Sequence, residues 1–273
     1  MNPIKLLIVS LALWTAGANA ANCKVSVPDS ALVKKGSLVM AINPTLPPMQ
    51  FVDRSGELQG MRVELGREIA KRLCLKAEYV RAEFSAMIPG LQAGRWDLIN
   101  TGIFYTEERA KRLHMLPYEQ QSISISTLRG NPDKIAKTDD LAGKTLGVEI
   151  GGFEEAKARE LDAKLKASGK RGLTIRTFEN FAMAFQALRA GQVHATLSID
   201  ATGAEYQNRG TFETVLHGLF PTPVALAARN QPLTDSIRTV LDDMKADGSF
   251  HKLLKTYGVM PADMPSGKPP AAI

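Results

Sequence analysis

The chain has 273 residues, 44% hydrophobic and 23% charged, with a net charge of +6. This is the composition of an ordinary globular protein able to bury a sizeable core, and it excludes a disordered or collagen-like chain. Lys and Arg are scattered among acids with no basic stripe interleaved with aromatics, so the excess charge reads as a solvated surface and nucleic acid is not an expected partner.

Lys5, the apolar run Leu6 to Leu13 and Ala18-Asn19-Ala20 before Ala21 read as a secretory signal peptide over 1–20, cleaved after Ala20. No later stretch reaches the roughly 20 apolar residues that a membrane span needs. The expected location is therefore the periplasm. Residues 21–36 form an N-terminal arm. Ala20-Ala21-Asn22 lacks the Leu of a lipid-attachment site, so no lipid is expected on Cys23. Cys23 and Cys74, the two cysteines, would meet an oxidising compartment; one disulfide is expected, pinning the arm to the helix of Arg67 to Leu73, with two unpaired thiols as the alternative.

Val39-Met40-Ala41-Ile42 reads as a buried strand, and the Pro-rich Asn43 to Pro48 as a loop. Asp53-Arg54-Ser55-Gly56 is a turn signal, after which Met61, Leu65, Ile69 and Leu73 recur every four residues on one helix face. Ala77 to Val80 is a strand, Phe84 to Ala93 a helix stopped by Gly94, and Asp97-Leu98-Ile99 the start of another strand. Strands alternating with helices imply a parallel α/β sheet. Phe84, Ile88, Leu91, Ala93 and Gly94 recur at an offset of 97 as Phe181, Phe185, Leu188, Ala190 and Gly191. Either two lobes share one plan, or two helices share only apolar spacing and a Gly stop.

Gly143 to Glu149 begins a new strand after the polar stretch Asn131 to Asp140. Past Pro221 and Pro223 the chain resumes a strand, Val224 to Ala227, and a helix with Ile237, Val240, Leu241 and Met244. The expected organisation is lobe 1 over 37–128 and 220–260, lobe 2 over 129–219, and a disordered, Pro-rich tail over 261–273.

Six segments in order resemble the extracellular solute-binding proteins of family 3, the amino-acid receptors of bacterial ABC importers. They are Asn43 to Met49, Gly56 to Leu73, Met87 to Asp97, Thr106 to Arg109, Leu141 to Val148 and Lys245 to Ser249. The resemblance, over Leu38 to Gly258, implies a type II periplasmic-binding-protein-like fold: two α/β lobes joined by two crossover strands, here Ser122 to Leu128 and about Phe220 to Ala227. A ligand in the cleft closes the lobes by hinge motion. A small carboxylate-bearing molecule and the membrane permease of an ABC transporter are the implied partners. The protein is expected to be a monomer without cofactor or metal.

The resemblance assigns the carboxylate clamp to Arg109, which follows an N-cap at Thr106, and a planar guanidinium suits that role. The residue-level alternative is a surface arginine paired with Glu107 or Glu108. Gly151 and Gly152, ahead of Phe153, would expose backbone N–H groups to a carboxylate or serve as a flexible turn. Asp200 matches the family's ammonium-binding acid if one residue is inserted after Gly191; otherwise it is a solvent-facing loop residue. Asn43 and Leu46 fall on the first loop, Leu46 where the family carries an aromatic, and Thr101 and Gly102 on the third strand. Phe104 and Phe153 stand where the family has hydroxyls. If they and Phe84 face the cleft, an apolar or aromatic ligand fits better than a small polar amino acid, the alternative being core positions for all three.

Enzymes on this fold, dehydratases of cyclic carboxylates, would need an acid or base in the cleft. Glu149 is the candidate by position, although a strand-end glutamate reads as solvated. None of the four histidines has metal-ligand spacing, and no P-loop is present. A sensing module acting through a separate membrane receptor is the third reading.

Overall fold

The computed structural model describes residues 25–262. The first buried strand is β1, Ser37–Ile42, inaccessible along its whole length. The Pro-rich stretch after it is more than a loop. Thr45–Leu46 (β2), Gln50–Val52 (β3) and Leu58–Gln59 (β4) make a small antiparallel sheet, and Asp53 shapes its last turn by accepting from the amides of Ser55 and Glu57. The prolines fall between the short strands, where no ladder N–H is required.

Met61–Arg72 (α1), Lys76–Arg81 (β5), Phe84–Gln92 (α2) and Leu98–Phe104 (β6) complete a first unit. The short helix Glu107–Ala110 (α3) leads into a long strand, His114–Leu128 (β7). A second unit repeats the plan with Thr145–Glu149 (β8), Phe153–Ala167 (α4), Thr174–Phe178 (β9), Phe181–Arg189 (α5) and Ala195–Ile199 (β10). Asp200–Asn208 (α6) then precedes Phe212–Ala228 (β11), Gln231–Ala246 (α7), Ser249–Thr256 (α8) and Met260–Pro261 (β12).

One sheet runs β5-β1-β6-β11-β7-β10-β8-β9, with β12 beside β7. Each end is a parallel trio with the unit's first strand in the middle, β5-β1-β6 and β9-β8-β10, and the antiparallel pair β7 and β11 runs between them. The repeat read from the sequence is thus a repeat of architecture. Helices α2 and α5 sit at equivalent places, and Gly94 (φ 67) and Gly191 (φ 68) end them in the left-handed conformation that favours glycine.

Three details differ from expectation. β11 begins at Phe212 rather than near Val224, because register shifts against β7 absorb Gly218 and Pro221, and Pro223 pairs with Gln120, without ending the ladder. Pro261, expected in a disordered tail, pairs in β12 with Glu119, and Ala262 is buried; 263–273 lie outside the described residues. Cys74 is disulfide-bonded, while Cys23 and the expected signal peptide lie outside the described residues.

A satellite core under α2 gathers Val39, Met87, Leu91, Trp96 and Ile103. Gly90 lies against Trp96 so closely that a Cβ there would sit 2.0 Å from the indole ring. Gly90→Ala is expected to cost about 1–3 kcal/mol by overpacking. Thermal unfolding is the check, and an unchanged midpoint would count against this packing.

Candidate functional site

The site forms where the strands β1, β6 and β8 end facing one another. At the end of β6 the chain enters α3 through Thr106, whose Oγ1 accepts from Arg109 N at 3.1 Å. This cap fixes the helix start and leaves Arg109 half-buried. Its guanidinium donates to Phe104 O at 3.0 Å in its own half of the sheet and to Gly151 O at 3.2 Å in the other half. Its side-chain bonds thus run to backbone carbonyls of both halves and not to Glu107 or Glu108.

Gly151 (φ 72) and Gly152 make the turn from β8 into α4. Both amides have acceptors: Gly151 N donates to Glu155 Oε2 at 2.8 Å and Gly152 N to Glu149 O at 3.2 Å. In this arrangement the glycines act as a turn. Gly152 lines a side cavity of about 280 Å³ shared with Arg109 and Phe153.

Between the halves lies a second cavity of about 10 Å³, the room of roughly one water. It is lined by Asn43, Leu46, Phe84, Thr101, Gly102, Phe104, Arg109 and Phe153, eight residues named from the sequence, together with Glu149, Glu154, Phe181 and Ile199. The halves meet closely here. Phe104 and Phe153 stack with centroids 4.4 Å apart, and Arg109 lies 5.3 Å from the Phe84 ring centroid. Asn43 Nδ2 donates to Glu149 Oε1 at 3.0 Å, and Asn180 Nδ2 to Glu83 Oε1 at 3.2 Å. All three phenylalanines therefore face the cleft.

The floor is held from below. Thr101 Oγ1 accepts from Asn43 N at 2.8 Å, so the hydroxyl ties the first loop to β6. Gly102, at φ 86, lies against Arg62, and a Cβ there would fall 2.2 Å from Nη1. Arg62 is wholly buried, donating to Glu119 Oε1 from Nη2 at 2.6 Å and to Gln50 Oε1 from Nη1 at 2.8 Å. Gln50 Nε2 in turn donates to Thr101 O at 2.7 Å. Polar groups this deep are retained because each has a partner.

Asp200 does not line the cavity, though its neighbour Ile199 does. It begins α6, and its Oδ2 accepts from Gly218 N at 3.0 Å; burial raises its carboxyl above the ordinary range against that bond.

The expectation that Glu149 is solvated is overturned. Glu149 is 3% exposed, as is Glu154 in the first turn of α4. Burial raises the Glu149 carboxyl well above the usual range, with the charges of Glu154 and Glu83 adding and Arg109 opposing. Burial raises Glu154 to about 7 against a bond from its own backbone amide and the pull of Arg109 and Arg62. Burial also lowers the Arg109 guanidinium, with Glu154, Glu108 and Glu149 opposing. Glu154 Oε1 is buried with no hydrogen-bond partner among the described residues, which costs about 1–3 kcal/mol for such a group. Glu154, Phe181, Glu83 and Asn180 were not singled out as site residues. Phe181 and Asn180 were nevertheless within reach, since the repeat at offset 97 aligns them with Phe84 and with Glu83.

Residues 38–260 match the family model of bacterial extracellular solute-binding proteins, family 3. The L-cystine-binding protein TcyJ of Escherichia coli strain K12 is 27% identical over 242 residues, covering 85% of this chain and 88% of that protein. An ancestral arginine-binding protein bound to glutamine superposes with a TM-score of 0.76 at 31% identity, covering 82% of this chain and 98% of that one. The ancestral amino acid-binding protein AncCDT-1, a precursor of cyclohexadienyl dehydratase, superposes with a TM-score of 0.72 at 29% identity, covering 81% and 95%.

Proposed function

Since this chain belongs to the bacterial extracellular solute-binding proteins of family 3, we propose that it captures a small carboxylate-bearing ligand of the amino-acid type between its two lobes and delivers it to the permease of an ABC importer. It acts in the periplasm after loss of residues 1–20, as a monomer and without chemistry on its cargo. Lobe 1 spans 37–128 and 220–260, and lobe 2 spans 129–219. One observation carries the reading: Arg109 sits at the meeting of the lobes, its guanidinium held by backbone carbonyls at the Phe104 and Gly151 ends. The acceptors of its hydrogen bonds are neutral carbonyls, so a ligand carboxylate can replace the Gly151 contact with a charge-assisted, two-pronged pair. The rings of Phe84, Phe104 and Phe153 offer the apolar remainder of the ligand a wall.

The test is a thermal-shift screen of the mature chain against amino acids, opines and aromatic acids. A ligand present at a hundred times its Kd stabilises the fold by about 2.7 kcal/mol, a readily seen shift. A screen in which no carboxylate moves the midpoint counts against the reading.

A second reading is favoured by Glu149, a cleft carboxyl whose burial favours its neutral form, the form that an acid catalyst for dehydration of a cyclic carboxylate requires. Likeness to a dehydratase precursor adds to it. A turnover assay on every stabilising ligand separates the two. Product formation abolished by Glu149→Gln would replace the carrier with the enzyme.

A further inference from the structure

Resting on the carrier reading above, we propose that Glu149 and Glu154 form a cation seat opposite Arg109, so that the cargo carries a protonated amine or guanidinium as well as its carboxylate. The two acids flank the Gly151-Gly152 turn and line the same cavity as Arg109. Each is 3% exposed. Glu149 Oε1 has a donor in Asn43 Nδ2, but Glu154 Oε1 lies buried with none. A neutral donor from the protein meets one acid; the other accepts from its own backbone amide and keeps Oε1 without a donor among the described residues.

Charge counting gives the chemistry of that partner. Arg109 is the cation lining the cavity, against the two acids. Once Arg109 takes a carboxylate from the ligand, its positive charge no longer draws either acid toward the ionised form, and a ligand that brings its own cation supplies that charge with N–H donors attached. The aromatic surroundings agree, because Phe104 and Phe153, stacked 4.4 Å apart, present ring faces that attract a cation once a ligand parts them. Asp200, the acid that the family resemblance assigns to an amine, lies off the cavity; its Oδ2 is held by Gly218 N, while its Oδ1, like Glu154 Oε1, is buried without a partner among the described residues.

The seat is also coupled to protons. Glu149 is faced by Glu83 at the start of α2, by Arg109 on α3 and by Glu154 on α4, and burial with the neighbouring acids favours the neutral form of both seat carboxyls. A cation binds the ionised form, so its arrival drives a proton to solvent and affinity rises with pH through the region of pH 7 set by Glu154.

Calorimetry on the mature chain tests this with matched probes: L-phenylalanine against 3-phenylpropionate, and L-arginine against L-citrulline. In at least one pair the member with the additional cation is expected to bind at least tenfold more tightly. Glu149→Gln and Glu154→Gln each reduce that preference at least tenfold, whereas Asp200→Asn changes it less than threefold. Titrations at pH 7 in buffers of different ionisation heat show proton release in the parent and less in Glu154→Gln. If Glu149→Gln does not fold, Glu154→Gln carries the test alone. Equal binding within both pairs, Gln variants within twofold of the parent, or a preference lost in Asp200→Asn overturns the seat while leaving the carrier reading standing. Failure of every probe to bind overturns both.

Discussion

Arg109→Ala lowers the affinity for any carboxylate ligand by on the order of 30- to 4,000-fold and leaves the fold in place. The range follows from about 2–5 kcal/mol for truncating one partner of a buried, hydrogen-bonded charge pair. The fold should survive because the guanidinium anchors no core element: its bonds go to two carbonyls at strand and turn ends, and burial opposes its charge. Arg109→Lys keeps the charge and loses the planar fork, so it should fall between the parent and the alanine variant. Calorimetry gives the affinities and a melting curve the control. Affinity unchanged in Arg109→Ala would remove the clamp, and a collapsed melting temperature would recast Arg109 as a structural residue.

Glu119→Ala has the larger effect on stability. Glu119 and Arg62 are both wholly buried and 2.6 Å apart, and Tyr118 OH donates to Glu119 Oε1 at 3.0 Å and Gln121 Nε2 to Oε2 at 3.1 Å. Removing the acid strands a guanidinium that no solvent reaches, at a cost of about 3–5 kcal/mol. For a chain of this size that is a fall of roughly 6–20 °C in melting temperature. Pairing Glu119→Gln with Arg62→Met removes both charges and should recover most of the loss, because two charges removed together leave neither unpaired. A fall below about 2 °C in the single variant would mean that the pair contributes little. Ligand affinity should drop as well, since Arg62 and Gln50 hold the Thr101 carbonyl beneath the cleft.

Much of this site is legible in the sequence because its carriers are local. The family resemblance assigns Arg109 after the N-cap Thr106, and it places Asn43, Leu46, Thr101 and Gly102 at loop and strand ends that the sequence pattern also marks. The repeated helices declare themselves through Phe, Leu and Gly at one spacing. The acids are hidden for the opposite reason. Glu149 ends a strand and Glu154 sits in a helix whose first turn also holds Glu155, and nothing in either pattern distinguishes a buried carboxylate from a solvated one. Their burial is a property of two lobes meeting. Arg62 was passed over likewise, lying between Met61 and Val63 at the start of an amphipathic helix, where an arginine ordinarily reaches water. The β2-β3-β4 sheet was missed because prolines mask strands of two or three residues.

The bond between Asn180 and Glu83 carries a further consequence. Asn180 caps α5, its Oδ1 accepting from Met183 N at 3.0 Å, and its Nδ2 crosses the cleft to Glu83, the residue that begins α2. These are the same position in the two copies of one structural plan, so when the cleft shuts the molecule meets its own duplicate at this point. Identical residues would serve poorly there: two glutamates would repel, and two asparagines would lack a charge to strengthen the contact. A fastening between copies needs the copies to differ. The departure from symmetry at this one place, an amide on one side and an acid on the other, turns a repeated part into a latch with two unlike halves.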